Sequence, residues 1–432
     1  MVSKIKGIHL KFSKYFWLLM VSAFIDFLGG SLIFPFFSLF MTKKFEIGMT
    51  QVGTMFLVWA LASGLIGNTL GGALADKFGR KANIIFGLIA SASSALFSVL
   101  IDDLTLFYVV IGFIGIFEDI AGPARQAMIA DMVPDDLRGE AYGINRIVMN
   151  LAATIAPIIG GYMATRSFEM LFYADVAISL IAAAFVLFLL PETKPEQSDS
   201  EKEEESFKET LQGYKKVLRD KVFIGFVGVS ILSVLMYFNM NSTLSVYLVE
   251  YKGITPSQFG TILSMNAGMV VVLQVLFTRI TKKWKPLLTL ALGDILYVIG
   301  FTMYGIFNSY GMFILAMVII TTGEMVFSPK EQTIIANYTP ENMRGRYMAI
   351  ASFAWIIPIA IGPLVGGFIM DHYDPRLLWY LVGLVGLLAA VGFVRMHRRN
   401  GNIFNALDRI AADPEKEAQC IEPLSEVIPV EM

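Results

Sequence analysis

The chain of 432 residues is 56% hydrophobic and only 16% charged, with a formal net charge of -2 and a mean hydropathy of +0.63. This balance excludes an ordinary soluble domain and describes a membrane protein. A single cysteine, Cys420 in a polar C-terminal stretch, and three histidines outside the apolar runs exclude a disulfide framework, a cysteine-based metal site and an intramembrane histidine cluster.

Twelve apolar stretches are each long enough to cross roughly 30 Å of hydrocarbon as a helix. They are predicted near 15–40, 52–75, 82–101, 104–132, 141–163, 168–190, 222–249, 258–277, 286–307, 310–337, 347–370 and 376–395. Lys4, Lys6, Lys11 and Lys14 precede a first stretch too long for a signal-peptide core, so it is predicted to be retained. Counted from a cytoplasmic N-terminus, the inner connections hold Lys77, Arg80, Lys81, Arg138, Lys282, Lys283, Arg344, Arg346, Arg398 and Arg399 among other basic residues. The outer connections hold only Lys43, Lys44, Arg166, Lys252 and Arg376. This asymmetry predicts a multi-pass protein of the cell membrane with both termini in the cytoplasm.

The longest polar connection, "PETKPEQSDSEKEEESFKETLQGYKKVLRD", divides the chain. The expected organisation is a six-helix half over 1–190, a cytoplasmic linker over 191–221, a second six-helix half over 222–396 and a cytoplasmic tail over 397–432. Within the linker, Phe207, Leu211, Tyr214 and Leu218 recur at helical spacing with lysines between, predicting an amphipathic helix on the membrane face.

The halves are related in sequence. Shifted by 206 positions, the 44 residues from Glu118 to Gly161 match 13 residues of the second half. The matches include Glu118 with Glu324, Pro123 with Pro329 and Arg138 with Arg344, and they carry Pro157, Gly160 and Gly161 onto Pro363, Gly366 and Gly367. A further pair, "TQVGT" from Thr50 and "SQFGT" from Ser257, falls at offset 207. A duplicated six-span half with a cytoplasmic linker is a transporter's arrangement, with its site at the midplane between the halves. The paired Pro and Gly positions are expected to pack helices closely between the lobes.

Between the second and third spans stands "GGALADKFGRK", Gly71 to Lys81. It resembles the signature loop of the major facilitator superfamily, with Gly72, Leu74, Asp76, Lys77, Gly79, Arg80 and Lys81 matching. The resemblance, which covers essentially residues 10–395, implies an all-α integral membrane fold of twelve transmembrane helices in two pseudo-symmetric halves. It also implies an Arg80–Asp131 pair that latches the outward-facing state, with Asp131 at the cytoplasmic end of the fourth span. The alternative is that these basic residues only anchor the loop at the membrane. "LGGSLIFP" from Leu28, "AATIAPIIGG" from Ala152 and "TTGEMVFSP" from Thr321 are similar to segments of the twelve-helix drug:proton antiporters, though Ser38, Ala152 and Ala156 depart from their pattern.

Charges inside apolar spans are costly, of order 2.5–3.5 kcal/mol each on insertion scales. Where they occur, a cavity, a partner or a bound proton is expected. The fold that the resemblance implies lines its cavity with helices one, four, seven and ten. Asp26, Glu118, Asp119 and Glu324 fall in that set, and the sequence reading gives proton coupling and substrate recognition to them, with Glu118 and Glu324 at equal depth by the repeat. Asp119 is turned about 100° from Glu118 and its role is left open, as is a meeting of Arg146 with Glu118. The competing reading for the shared acids is a neutral, hydrogen-bonded pair. Arg125, about 10 Å along the same face from Glu118, has Glu331 as its repeat counterpart, and the two are expected to form an inner gate; headgroup anchoring of Arg125 is the alternative.

The expected function is secondary active transport, namely proton-coupled efflux of lipophilic or cationic small molecules by alternating access. The alternative is proton-coupled transport of a sugar-like metabolite or a lysolipid. No Ser–His, Ser–Lys or metal constellation of a membrane enzyme is visible and no ATP-binding loop is present, so no enzyme activity, cofactor or metal is expected. The expected partners are the small-molecule substrate, protons and the lipid bilayer, with no nucleic acid, for a chain acting as a monomer.

Overall fold

The computed structural model describes residues 11–67, 74, 77–118, 120–134, 137–194, 207–340 and 343–412, all of them helical or in connections. The first helix among the described residues, α1, is Lys14–Ile33, whose start is capped by the Ser13 hydroxyl accepting the Phe16 N–H at 3.2 Å. At Pro35, which has no N–H to donate, the helix tightens into a single 3-10 turn, Phe34–Phe36. It then continues as α2, Phe37–Phe45, ending at Glu46 in a left-handed conformation. Next come α3 (Met49–Trp59), running into a wider π turn over Ala60–Gly67, α4 (Arg80–Leu100), α5 (Leu104–Glu118), α6 (Ala121–Met132), α7 (Arg138–Ala164) and α8 (Glu169–Leu189). After the linker follow α9 (Phe207–Arg219), α10 (Lys221–Val246), α11 (Pro256–Thr281), α12 (Pro286–Ile306), α13 (Tyr310–Tyr338), α14 (Arg344–Ala351), α15 (Phe353–His372) and α16 (Arg376–Ala412).

Among the described residues, eleven helical stretches are long and apolar enough to cross a membrane, and the apolar helix Met49–Ser63 is shorter. They coincide with the expected spans to within a few residues at most ends. Residues 68–73, inside the expected second span, lie outside the described residues. At its C-terminal end α16 differs from expectation. It stays helical to Ala412, where a polar tail was expected from 397, because Ile403 and Phe404 bury their side chains and Phe404 stacks on Tyr338 at 5.7 Å. Lys330 reinforces that contact by reaching Asp408 at 3.4 Å.

The chain forms two compact units. The first comprises residues 1–200, 239–271 and 359–372, and the second comprises 201–238, 272–358 and 373–432. This partition follows packing rather than the sequence repeat. In the first unit, Phe16, Leu19, Met20, Ile84, Leu88, Met128 and Ile129 from α1, α4 and α6 form a continuous buried cluster. In the second, an aromatic ladder joins α12, α13 and α16. Phe301 stacks on Trp379 at 6.2 Å, and Tyr304 lies 5.6 Å from Trp379 and 5.8 Å from Phe313.

Two helix seams in the first unit repeat one another. In α7, a Cβ on Gly161 would meet the Pro256 carbonyl at 2.7 Å, and Gly260 of α11 lies against the Pro157 carbonyl. At the matched positions, Gly367 of α15 lies against the backbone of Met49 and Thr50, and Gly53 of α3 lies against Pro363 and Leu364. Backbone-to-backbone approach of this kind leaves no room for a side chain. A Cβ on Gly160 would instead meet the Leu32 carbonyl of α1 at 2.8 Å, and Gly366 is buried in α15. The α3–α15 seam carries an additional tie. The Asp371 carboxylate accepts hydrogen bonds from the Met49 N–H at 2.9 Å, the Thr50 N–H at 2.8 Å and the Thr50 hydroxyl at 2.6 Å.

The end of the linker is held inside the second unit. Asp220 caps α10 by accepting the Val222 and Phe223 N–H groups at 3.1 and 3.0 Å. It also accepts the hydroxyls of Tyr338 at 3.1 Å and Tyr347 at 3.0 Å.

Candidate functional site

Three groups of predicted residues gather in the structure. In the first, at the signature loop, Gly79 has a φ of 97°, a region that only glycine enters without strain. The turn brings Arg80 onto Asp131 of α6, with Nε to Oδ2 at 3.0 Å and both side chains mostly buried. The pair is fixed from two sides: the Thr193 hydroxyl donates to the same Asp131 oxygen at 3.2 Å, and the Asn83 amide donates to the Gly79 carbonyl at 2.6 Å.

Glu192, of the "LPET" stretch after α8, completes this group and was not singled out by the sequence reading. Its carboxylate accepts the backbone N–H groups of Arg80 at 2.8 Å, Lys81 at 3.1 Å, Thr193 at 2.9 Å and Lys194 at 3.0 Å. It thereby caps α4, whose own residue before the first turn is a glycine without a side chain. Partial burial alone would raise the Glu192 carboxyl. The four N–H donors outweigh it and hold the group below its ordinary value. A Cβ at Gly79 would strike the Glu192 carboxylate, so the same glycine also makes room for the cap. Gly72 and Asp76 lie outside the described residues.

In the second group, Arg125 of α6 reaches Asp26 of α1, Nη2 to Oδ2 at 2.5 Å. Arg125 is 4% exposed and its guanidinium lies over the Phe27 ring at 5.5 Å. Asp26 thus supplies a carboxylate from the adjoining helix to a buried guanidinium, and the expected inner gate of Arg125 with Glu331 is kept as a proposal. Glu118 closes α5, and nothing is described of its side chain; Asp119 lies outside the described residues.

The third group surrounds Glu324 of α13, in the second unit. A pocket is lined by Tyr237, Tyr297, Glu324, Phe327 and Trp355, with Ser233, Ser328 and Glu331 completing its lining. The Tyr237 hydroxyl donates to Glu324 Oε1 at 3.2 Å. Around it, Tyr237 lies 5.9 Å from Tyr297 and edge-on to Trp355 at 6.2 Å, while Tyr297 lies 6.1 Å from Phe327. An aromatic wall with carboxylates beside it suits a cation that also carries apolar surface. Tyr237 was not among the predicted site residues; its bond to Glu324 depends on how α10 and α13 are rotated and left no mark in the sequence. No cluster of three or more Asp, Glu, His or Cys residues suited to a metal occurs among the described residues.

The chain was compared with known proteins. It is 26% identical over 366 residues to the uncharacterized MFS-type transporter YttB of Bacillus subtilis (strain 168), covering 84% of this chain and 89% of that one. It is 25% identical to a Na(+), Li(+), K(+)/H(+) antiporter of Planococcus maritimus, over 77% and 84% of the two chains. It is 28% identical to multidrug resistance protein 2 of Bacillus subtilis (strain 168), over 86% and 93%. Among solved structures, a mutant of the nucleoside transporter NupG superposes with a TM-score of 0.77 at 13% identity, over 89% of this chain and 100% of that one, a likeness of fold. The family model for the Major Facilitator Superfamily matches residues 19–251 and 226–418. With its signature-loop geometry, its apolar helices and a family match along nearly its whole length, this multi-pass membrane chain belongs to the Major Facilitator Superfamily, and it is a transporter of small molecules rather than an enzyme.

Proposed function

We propose that the chain is a twelve-span transporter that exports lipophilic or cationic small molecules in exchange for protons. It sits in the cell membrane with both termini in the cytoplasm and works by alternating access of two six-helix halves. The observation that carries this reading is the pocket in which Glu324, held by Tyr237, faces Tyr297, Phe327 and Trp355. A carboxylate in an apolar surrounding is worth its insertion cost only where it meets a cation or a proton. The aromatic faces add cation–π attraction of up to about 2 kcal/mol where water is excluded. Relatives named as a multidrug resistance protein and as an antiporter that exchanges cations for protons support both parts of the reading.

The Arg80–Asp131 pair, within the first half, supports a latch that shapes its cytoplasmic edge in the outward-facing state, and the Gly and Pro seams support close packing of the two repeats against one another. Glu118 and Glu324, with Asp26 assisting, are proposed to share the proton traffic.

The test is efflux of ethidium from cells expressing the chain, with and without a proton uncoupler. Uncoupler-sensitive efflux that falls at least tenfold, about 1.4 kcal/mol, in Glu324→Gln is expected. Efflux unchanged by both the uncoupler and the substitution would overturn the reading.

A further inference from the structure

Beside the aromatic pocket, α10, α12 and α13 bring together a set of oxygen atoms that the export reading does not use. Asp294 of α12 is fully buried and Glu331 of α13 is 2% exposed; Ser230 and Ser233 of α10 are equally enclosed. The Ser233 hydroxyl donates to Asp294 Oδ2 at 3.1 Å, and Ser230 lies beside Glu331. Among the described residues, Asp294 Oδ1 and Glu331 Oε1 have no hydrogen-bond partner. Neither carboxylate makes an ion pair among the described residues. The nearest lysine in sequence, Lys330, is directed to Asp408.

Two enclosed carboxylates without a basic partner are among the costliest arrangements in a membrane helix bundle, and such oxygens are retained where they hold something. We infer that Asp294, Glu331, Ser230 and Ser233 form a coordination site for one alkali cation of the size of Na+ or Li+. The donor set is oxygen only, from carboxylates and hydroxyls on three helices, which suits a hard cation and gives no nitrogen or sulfur to a transition metal. The atoms are enclosed, so the ion must shed its water. Mg2+ does so reluctantly and Ca2+ wants six to eight oxygens; a monovalent ion with few ligands fits the space. A bound cation engages several oxygens of both carboxylates and the hydroxyls at once, whereas a shared proton bridges at most two of them. Entry runs through the pocket, since Ser233 and Glu331 line it. The site is a neighbour of Glu324 and stands whether or not organic cations are exported.

The experiment uses the purified full-length chain in lipid nanodiscs at fixed pH and ionic strength. Thermal unfolding is followed as choline chloride is replaced by NaCl, LiCl or KCl, and equilibrium binding of radioactive sodium is measured in parallel. A saturable rise in Tm with Na+ or Li+, together with sodium binding near one ion per chain that Li+ displaces, is expected. Ser233→Ala and Glu331→Gln should raise the sodium concentration at half-effect by about tenfold or more, and Asp294→Asn should abolish the effect. Should Asp294→Asn fail to fold, the wild-type binding and Ser233→Ala still decide the matter. A Tm indifferent to the alkali cation with no bound sodium overturns the site. So does stabilisation by acid alone, equal in choline, which would make it a proton site, or stabilisation by Mg2+ or Ca2+ alone.

Discussion

The Glu192 carboxylate accepts the backbone N–H of Arg80 at 2.8 Å across 112 residues of sequence, so the start of α4 is capped by the segment that follows α8. The residue whose side chain pairs with Asp131 is therefore also the residue whose backbone is held by Glu192.

That cap has a pH signature. Because the folded-state carboxyl lies below its unfolded value, its contribution is fully present above the unfolded value, about 4.3, and is lost as pH falls through the lower folded one. Glu192→Ala should cost about 1 kcal/mol, the usual worth of a helix cap, with solvent exposure keeping it at the low end. Thermal unfolding of wild type and variant should differ by a constant margin near neutral pH and converge in acid. A margin that does not shrink anywhere on acidification would contradict the assignment.

Arg80 and Asp131 should be separable by charge. Asp131→Asn removes the ionic partner of a mostly buried guanidinium, and a loss of about 1.5–3 kcal/mol is expected from a charge-assisted bond. Its effect on conformation is read by labelling single cysteines placed at helix ends, in a background where the only native cysteine, Cys420, is replaced by serine. Swapping the two residues should recover part of the loss, which a mere surface anchor would not do.

The Arg125–Asp26 pair predicts a different pattern. Arg125→Ala should be strongly destabilising, about 3–5 kcal/mol as for a broken buried pair. The double variant Arg125→Met with Asp26→Leu should be far milder in unfolding assays, because no charge is then left unmatched. Equal damage by single and double variants would mean that the two side chains do not act as a pair.

At the helix seams, Gly161→Leu and Gly367→Leu should each lower stability by roughly 1–3 kcal/mol through overpacking. Gly122→Ala, with open space around its Cβ position, serves as the control. Similar Tm values for all three variants would indicate that the seams tolerate separation at no cost.

Much of the fold was legible because span length and hydropathy are local properties, and α4, α8 and α12 end within a few residues of the expected limits. The repeat also foretold which glycines would meet other helices, since Gly161 and Gly367 occupy matched seams. Pairings between helices were less legible. Arg80 with Asp131 followed from a family motif, whereas the partner of Arg125 depended on the rotation of α1 against α6, which a nearly uniform apolar sequence does not encode. For the same reason Tyr237 on Glu324, and Ser233 on Asp294, emerged only with the structure. Glu192 was hidden differently, because the N–H groups it caps lie 111 and 112 residues away in sequence.

The two seams are alike in backbone but not in how their helix starts are finished. α11 is self-sufficient, since Gln258 accepts the Thr255 N–H at 2.8 Å and the Thr255 hydroxyl accepts the Gln258 N–H at 3.2 Å. α3 instead borrows its acceptor from α15, through Asp371. Any conformation that parts α3 from α15 leaves two amide hydrogens and a carboxylate to be rehydrated, at a cost of about 1 kcal/mol, whereas parting α7 from α11 loses packing alone. One seam is in this way held by hydrogen bonds to a carboxylate as well as by packing, and its counterpart by shape alone.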